Sequence, residues 1–294
     1  MNTKILENEF EYSKPGSLEE VLETLATKQN VRIFAGGTDL IVKLKLGALP
    51  DMEHMLDING VEELGKIETR ADGLEIFAGA KLWSIESDRR VEENYPALRE
   101  AIQAMASISV RNMATLGGNF CNASPVADAV GPVMCYGGKV RMQSKRGARE
   151  VNAVDFFLAP GVSVLEKGEL LTSVYLPAPK AHTGHAFVKM GRVKSDIAKI
   201  SITAVLEREG DRIASCRLAM GSVAARPLFL KAIGEGLAGK AMTEALAQET
   251  AQNISDFIKP IGDNRTTAEY RTDVAKVIAR DALVSAWKNS GGTL

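Results

Sequence analysis

The sequence predicts an α+β protein of two domains, and three observations support this fold class. Short apolar strands alternate with amphipathic helices in the first part of the chain. A proline-rich link, Pro177-Ala178-Pro179, follows them. Beyond the link, alternating apolar runs separated by turn residues precede two long helical stretches. We therefore expect a first domain at residues 1–176 and a second at residues 177–294.

The elements of the first domain follow from the spacing of apolar residues. Helices show apolar residues three or four apart, and strands show alternation. In chain order the pattern predicts a helix at 18–28, a strand at 31–35, a short helix at 40–46 that ends at Gly47, a strand at 73–80 and a helix at 95–106.

The second domain is predicted to be a three-stranded antiparallel sheet covered by helices. Its strands are Gly184–Lys189, Ile200–Glu207 and Arg212–Met220, with a glycine turn between the last two. The helices are Thr243–Ile258 and Thr267–Lys288.

Composition excludes several classes of protein. The net charge of the 294-residue chain is -1, which does not suggest nucleic-acid or polybasic membrane binding. No apolar run is long enough to span a bilayer, and Met1 to Asn8 lack the apolar core of a secretory signal. We therefore expect a cytoplasmic protein with no membrane insertion and no nucleic-acid partner.

Cysteine and histidine are too few and too dispersed for most metal or nucleophile chemistry. The chain has 3 cysteines, which cannot form a four-cysteine cluster, so no metal site is predicted. Its 3 histidines are not near a serine or cysteine in a recognisable nucleophile motif, which disfavours a hydrolase. Cys121 is interpreted as a small buried thiol.

Two diglycine turns, Ala35-Gly36-Gly37-Thr38-Asp39 and Thr115-Leu116-Gly117-Gly118-Asn119, suggest a split phosphate clamp. Glycine adopts backbone angles closed to other residues and carries no side chain to keep a ligand away. Successive amide groups can then bind one pyrophosphate. When either turn is taken alone, an ordinary hairpin or helix cap explains it better than a ligand site does.

Short polar residues flank both turns. Thr38 and Asp39 adjoin the first, while Asn119, Ser124 and Asp128, together with Asn122, follow the second. Such residues hydrogen-bond polar ligands, although capping and Asx-turns are an alternative explanation for some of them.

A third glycine pattern is rejected as a dinucleotide site. The segment Gly234-Glu235-Gly236-Leu237-Ala238-Gly239 matches G-x-G-x-x-G, but a strand should precede such a motif. The preceding Arg226–Ile233 is predicted to be a helix started by a proline. We therefore expect a helix-loop-helix turn that binds neither NAD nor FAD.

The order of motifs resembles the FAD-binding medium subunit of molybdenum hydroxylases. This is the family of the xanthine dehydrogenase FAD subunit and the carbon monoxide dehydrogenase medium subunit. The resemblance rests on both diglycine turns and on segments that extend over nearly the whole chain: 10–12, 15–20, 111–119, 122–128, Lys189 with Arg192, 196–198 and 263–271.

The resemblance implies a p-cresol methylhydroxylase-type FAD-binding domain followed by a CO dehydrogenase flavoprotein-type C-terminal domain. The FAD-binding domain would comprise subdomains of about 1–56 and 57–176, with FAD extended between them and its pyrophosphate held by both glycine turns. The implied FAD contacts are Ile33, Phe34, Ala35, Gly36, Gly37, Thr38, Asp39, Leu40, Met105, Thr115, Leu116, Gly117, Gly118, Asn119, Ser124, Asp128, Leu171 and Lys189.

The resemblance also implies an electron-transfer role within a larger complex. A large partner would carry the molybdenum-pterin centre and a small partner the iron-sulfur clusters, and FAD would pass electrons to NAD or another acceptor. Lys189, Arg192 and Asp196 are placed near the flavin ring or the acceptor entrance. A salt-bridged connection between strand and loop is their alternative role.

Two other functions remain open at this stage. A stand-alone flavin-dependent oxidoreductase of the same superfamily would need its own substrate-binding domain and often a covalent flavin link, for which only Cys121 is a candidate. A scaffold that has lost FAD would be expected to show eroded glycine turns, and both turns are intact.

Overall fold

The computed structural model describes residues 9–193 and 195–294. The expectation for Met1 to Asn8 lies outside the described residues. The helices are α1 Leu18–Thr27, α2 Leu40–Lys45, α3 Leu82–Glu86, α4 Arg89–Asn94, α5 Pro96–Gln103, α6 Ile108–Met113, α7 Leu116–Cys121, α8 Val130–Cys135, α9 Lys231–Leu237, α10 Glu244–Asn253 and α11 Ala268–Asn289. The strands are β1 Glu11–Ser13, β2 Val31–Phe34, β3 His54–Asp57, β4 Ile67–Arg70, β5 Gly73–Phe77, β6 Lys139–Ser144, β7 Gly147–Asn152, β8 Phe157–Ala159, β9 Val162–Ser163, β10 Leu170–Pro177, β11 Thr183–Met190, β12 Ile200–Glu209, β13 Arg212–Gly221 and β14 Leu228–Phe229.

The first sheet is small and parallel, in the order β1-β3-β2. Helix α1 lies between β1 and β2 in the chain; it begins after Ser17, whose hydroxyl accepts from Glu20 N, and it buries Val21 and Leu22. Parallel strands end at the same edge of a sheet. The loops that follow β2 and β3 therefore open side by side, and the first glycine turn is one of them.

The second sheet is antiparallel, in the order β4-β5-β10-β6-β7. Its main core includes three aromatic rings, Phe120, Phe156 and Phe157, whose centroids lie 5.1 to 5.8 Å apart. Helix α7, which contains the second diglycine, is anchored to this core by Phe120. The core thus holds the second glycine segment rigidly.

The third sheet has four antiparallel strands, β11-β12-β13-β14, covered by α9, α10 and α11. The predicted fold class is confirmed, but the expectation of three strands omitted β14, which pairs with Ala219 and Met220. The predicted proline-started helix at 226–233 is also wrong in its start. Leu230 N donates to Leu218 O at 2.8 Å, which keeps the chain on the sheet edge until α9 begins at Lys231.

The glycines of the rejected dinucleotide motif have roles in packing and turning. A Cβ on Gly234 would clash with Cys216 O, so this glycine lets α9 pack closely on β13. Gly239 has a φ of +79° in the turn after α9. Within the described ranges, none of the helices is both long and apolar enough to cross a bilayer.

Candidate functional site

The first glycine turn offers amide groups that the fold leaves unused. Gly37 has a φ of +70°, and a Cβ there would clash with the Phe34 ring, so the turn requires glycine. Within residues 9–193 and 195–294, no acceptor is found for the N–H groups of Gly36, Gly37 or Thr38. Successive free amides of this kind form an anion-binding concavity.

The second diglycine is not a free turn, contrary to the prediction. Gly117 and Gly118 lie in the first turn of α7, where Thr115 is the N-cap and its hydroxyl accepts from Gly118 N at 3.0 Å. Gly117 N donates to Ala78 O at 2.9 Å, and a Cβ on Gly117 would lie 2.6 Å from the Ala78 Cβ. Packing against Ala78 therefore explains Gly117.

Gly118 has no such structural explanation. It is exposed, and a Cβ there would meet only the Thr115 hydroxyl, at 3.0 Å. A glycine in a helix costs up to about 1 kcal/mol relative to alanine. The described chain gives no contact that compensates for this cost, and close approach of a ligand to Gly118 stays a prediction.

The two glycine segments are adjacent in space. A Cβ on Gly36 would clash with Met113 O and would lie 2.7 Å from the Ala114 Cα, so the first turn packs directly against the residue that precedes Thr115. Asn122 also joins the segments: its Nδ2 donates to Asp39 at 3.3 Å, and its Oδ1 accepts from Lys43 at 2.7 Å. One phosphate-bearing ligand can therefore contact both segments.

Two buried acceptor atoms near the second segment lack a donor. They are Asn119 Oδ1 and Asp128 Oδ1, for which the described chain supplies no hydrogen-bond partner. Asn119 Nδ2 lies 4.0 Å from Met105 Sδ, and Lys189 Nζ donates to Asp128 Oδ2 at 2.7 Å and to Ala104 O at 2.8 Å. Unsatisfied buried acceptors are costly, so this group of residues suits a ligand with hydroxyl or N–H donors.

Asp128 and Lys189 form a buried ion pair whose side chains are 5% and 6% exposed. Burial raises the pKa of Asp128 to about 6, although the Lys189 charge opposes the shift. The sequence analysis named both residues as cofactor contacts without pairing them, and their contact with a flavin stays a prediction.

The remaining predicted cofactor contacts differ in how deeply their side chains are buried. Ile33, Phe34, Ala35 and Leu40 are partly buried beside the first turn. Ser124 is partly buried, and its hydroxyl accepts from Val126 N at 3.4 Å. Leu116 is fully buried in the core with Leu171, which is 1% exposed on β10.

Arg192 and Asp196 pair with each other in the connection between β11 and β12. Arg192 Nε lies 2.6 Å from Asp196 Oδ2, with the Arg192 side chain exposed. The Arg192 guanidinium lowers the pKa of Asp196 to about 2. This arrangement matches the salt-bridged connection that the sequence left open as an alternative, and a role near the flavin ring stays a prediction.

Arg111 is a positioning residue that sequence motifs alone did not explain. It is 7% exposed, its Nε donates to Glu86 at 2.8 Å, and its Nη1 donates to Met105 O and Ala106 O. Ala106 has a φ of +45°, so this turn is strained and needs such support. Arg111 thereby fixes Met105 beside Asn119.

The structure also brings together a serine and a histidine that are distant in the sequence. Ser13 Oγ lies 2.7 Å from His54 Nε2, and His54 Nδ1 lies 3.1 Å from Glu11 Oε2. Sequence motifs gave no sign of this contact, which arises because β1 and β3 pair in parallel with Glu11 opposite His54. The three side chains fasten the edge strand β1 to β3.

The donors and acceptors of the site fit a flavin dinucleotide. Free amides at the first turn suit a pyrophosphate, and the orphaned acceptors of Asn119 and Asp128 suit hydroxyl or ring N–H donors. The fold and the site thus suit a protein that binds a dinucleotide cofactor such as FAD between sheets, in contrast to the single βαβ crossover of a dinucleotide-binding fold.

Comparisons with known proteins give the family. Residues 8–179 match the FAD binding domain in molybdopterin dehydrogenase, and residues 185–286 match the CO dehydrogenase flavoprotein C-terminal domain. The chain belongs to this family, and it is an FAD-binding oxidoreductase subunit of the molybdenum hydroxylase type.

Relatives resemble the chain over nearly its full length. It is 32% identical to the glyceraldehyde dehydrogenase medium chain of Sulfolobus acidocaldarius over 94% of this chain and 97% of the relative. It is 30% identical to the carbon monoxide dehydrogenase medium chain of Afipia carboxidovorans over 94% and 96%. Among solved structures, carbon monoxide dehydrogenase from Hydrogenophaga pseudoflava superposes with a TM-score of 0.92 at 30% identity, covering 96% of this chain and 98% of that one.

Proposed function

We propose that this chain relays electrons within a multi-subunit hydroxylase or dehydrogenase. It would receive them from iron-sulfur clusters on a small partner subunit, after a large molybdenum-pterin subunit has oxidised the substrate. Bound FAD supplies the exchange between one-electron and two-electron transfer. The chain's own residues bind the cofactor and position it.

The single observation that carries the proposal is the junction of the two glycine segments. Gly36 packs against Met113 and Ala114, so the turn that carries the free amides of Gly36 to Thr38 lies against the start of the second segment, which holds Gly118 and the buried acceptor of Asn119. We propose that these amides bind the pyrophosphate, and that Gly118 permits its close approach. Asn119 and Asp128 would accept hydrogen bonds from FAD groups that carry donors.

The names of the relatives support a substrate site on another subunit. They include medium chains of enzymes named for carbon monoxide and glyceraldehyde, an FAD-binding subunit of xanthine dehydrogenase and the beta subunit of caffeine dehydrogenase. These substrates range from a diatomic gas to a sugar aldehyde and purines, whereas this chain resembles each of the named subunits over nearly its full length. We infer that this chain serves the cofactor and leaves substrate choice to its large partner.

The electron acceptor and the domain boundary complete the proposal. We propose that electrons leave past the end of β11, where Lys189 lies, and the following connection to β12, which holds Arg192 and Asp196, towards NAD or another acceptor. We also propose a boundary near residue 177, because β10 ends there and the third sheet begins at β11.

Purification from FAD-replete cells tests the function. The chain is expressed alone and together with the large and small subunits of its complex, and each preparation is examined for flavin absorbance at about 450 nm. We expect a yellow chain, and a complex in which the substrate reduces the flavin only when both partners are present. A colourless chain would contradict flavin binding, whereas flavin reduction by a small substrate without partners would favour a stand-alone oxidoreductase.

A further inference from the structure

Lys81 is a partly buried cation between the two glycine segments. It directly precedes α3, and its backbone forms an antiparallel bridge with Thr115, the N-cap of α7. Flanking bonds fix this pairing: Leu82 N donates to Ala114 O at 2.9 Å, and Leu116 N donates to Ala80 O at 3.2 Å. The backbone of Lys81 is thus held against the start of the second segment.

The side chain of Lys81 reaches the first segment. Its Nζ donates to Asn59 Oδ1 at 2.9 Å, and Asn59 Nδ2 donates to Ala35 O at 2.7 Å. The Asn59 amide therefore bridges the ammonium group to the residue that opens the first glycine turn. Asn59 follows β3 at the same sheet edge from which the turn emerges after β2.

This ammonium group has no anionic partner in the part of the chain that the structure describes. Asp57 is the neighbouring carboxylate, but its oxygens accept from Tyr12 Oη at 2.6 Å and from Asn59 N at 2.9 Å, and it forms no ion pair with Lys81. Burial lowers the pKa of Lys81. A cation held in place, partly desolvated and without an ion-pair partner, is suited to an anionic ligand.

We propose that Lys81 binds the pyrophosphate of the dinucleotide cofactor and neutralises its charge between the two glycine segments. The inference rests on the proposed function and extends it, because none of the glycine motifs includes this residue. The free amides of Gly36 to Thr38 supply directional donors, while Lys81 supplies the compensating charge. Asn59 is then a positioning residue that holds the ammonium group.

Binding titrations on the flavin-free chain test the proposal. Lys81→Met keeps the length of the side chain and removes the charge, and Lys81→Arg keeps the charge. Lys14→Met is the matched control, because the charge of Lys14 also interacts with the Asp57 carboxylate, whereas its side chain is exposed. FAD and riboflavin, which lacks the pyrophosphate, are titrated by flavin fluorescence at low and high salt, with circular dichroism as the check of folding.

We expect Lys81→Met to weaken FAD binding about tenfold or more, because a charge-assisted contact is lost, with riboflavin affinity unchanged. Lys81→Arg and Lys14→Met should bind FAD within about threefold of the unsubstituted chain. The salt dependence of FAD binding should be smaller in Lys81→Met than in the unsubstituted chain.

The other outcomes overturn the inference in distinct ways. Equal FAD affinity in Lys81→Met and the unsubstituted chain would show that Lys81 does not contact the pyrophosphate. Equal losses for FAD and riboflavin, or a comparable loss in Lys81→Arg, would assign it a structural role only. Failure of the unsubstituted chain to bind FAD would instead refute the proposed function itself.

Discussion

Replacing Gly118 by alanine separates the folding of the second segment from its role in cofactor binding. In the chain alone the added methyl meets only the Thr115 hydroxyl, at 3.0 Å. Alanine gains up to about 1 kcal/mol of helix stability over glycine, and a displaced Thr115 cap would cost a similar amount. We therefore expect the free energy of unfolding to change by less than about 1 kcal/mol, a shift of no more than about 4 °C in Tm.

The cofactor should respond far more strongly than the fold. If FAD approaches α7 at Gly118, the methyl group occupies the space in which the ligand makes contact. Displacement of the ligand then loses both that contact and the alignment with the amides of Gly36 to Thr38. We expect FAD affinity to fall at least about tenfold, equivalent to about 1.4 kcal/mol.

The assay compares two alanine substitutions in helices. Gly236→Ala is the control, because Gly236 lies on the exposed side of α9 with open space around it, remote from the glycine segments. Both variants are measured for Tm by circular dichroism and for FAD affinity by fluorescence titration. The control should gain a little stability and bind FAD as the unsubstituted chain does.

Unchanged FAD affinity in Gly118→Ala would refute the close approach of the cofactor to α7. A loss of affinity accompanied by a fall of more than about 10 °C in Tm would show that the substitution damages the fold instead. Either result would leave Gly118 without the role assigned to it here.

Three further predictions concern the residues that hold the site together. Gly36→Ala should destabilise the chain by about 1–3 kcal/mol and abolish flavin retention, because the added Cβ clashes with Met113 O. Thermal unfolding measures the loss of stability, and the flavin content of the purified variant measures retention. A variant that keeps its full flavin content would contradict the packing of Gly36 against Met113. Arg111→Met should cost about 3–5 kcal/mol in chemical denaturation because it leaves Glu86 buried and unpaired. Arg89→Met is the control, and it should have almost no effect because the Arg89 side chain is exposed. Equal costs would refute the role of Arg111. The folded pKa of Asp128, about 6, exceeds the reference value of 3.8, so in the flavin-free chain the folded state retains a proton that the unfolded state releases. As pH rises from 3.8 to about 6, the stability of the unsubstituted chain should thus fall by up to about 1.4 kcal/mol per pH unit. Asp128→Asn should lack this component when denaturation midpoints are compared across the same pH range. Parallel pH profiles of the two proteins would contradict the raised pKa of Asp128.

The first glycine turn was predictable because its determinants are local. The apolar run of β2, a glycine at a left-handed position and the following apolar helix all lie within a short segment. The second segment was predicted as a turn because two successive glycines disfavour a helix. Tertiary contacts override that preference: Gly117 N bonds to Ala78 O, and Thr115 caps the helix.

Asn59 and Lys81 were missed for a different physical reason. Neither lies in a recognisable motif, and their meeting depends on the parallel pairing of β2 with β3 and on the bridge between Lys81 and Thr115. A single sequence gives strand periodicity but does not give the order of strands in a sheet. A contact between residues on two neighbouring loops can therefore be recognised only once the order of the strands is known.

The second domain holds in place the segment that carries Asp128, one of the residues proposed to contact the cofactor. Ser222 N donates to Pro125 O at 2.9 Å, and Lys189 on β11 supplies the only ion pair that the described chain makes with Asp128. A first domain without β11 would keep both glycine segments but would lack the Lys189 ammonium group that pairs with Asp128. A ligand that binds only the folded state adds its binding free energy to stability. FAD should therefore stabilise both domains together, because the residues proposed to hold it are in place only when the third sheet is docked against the 125–128 segment.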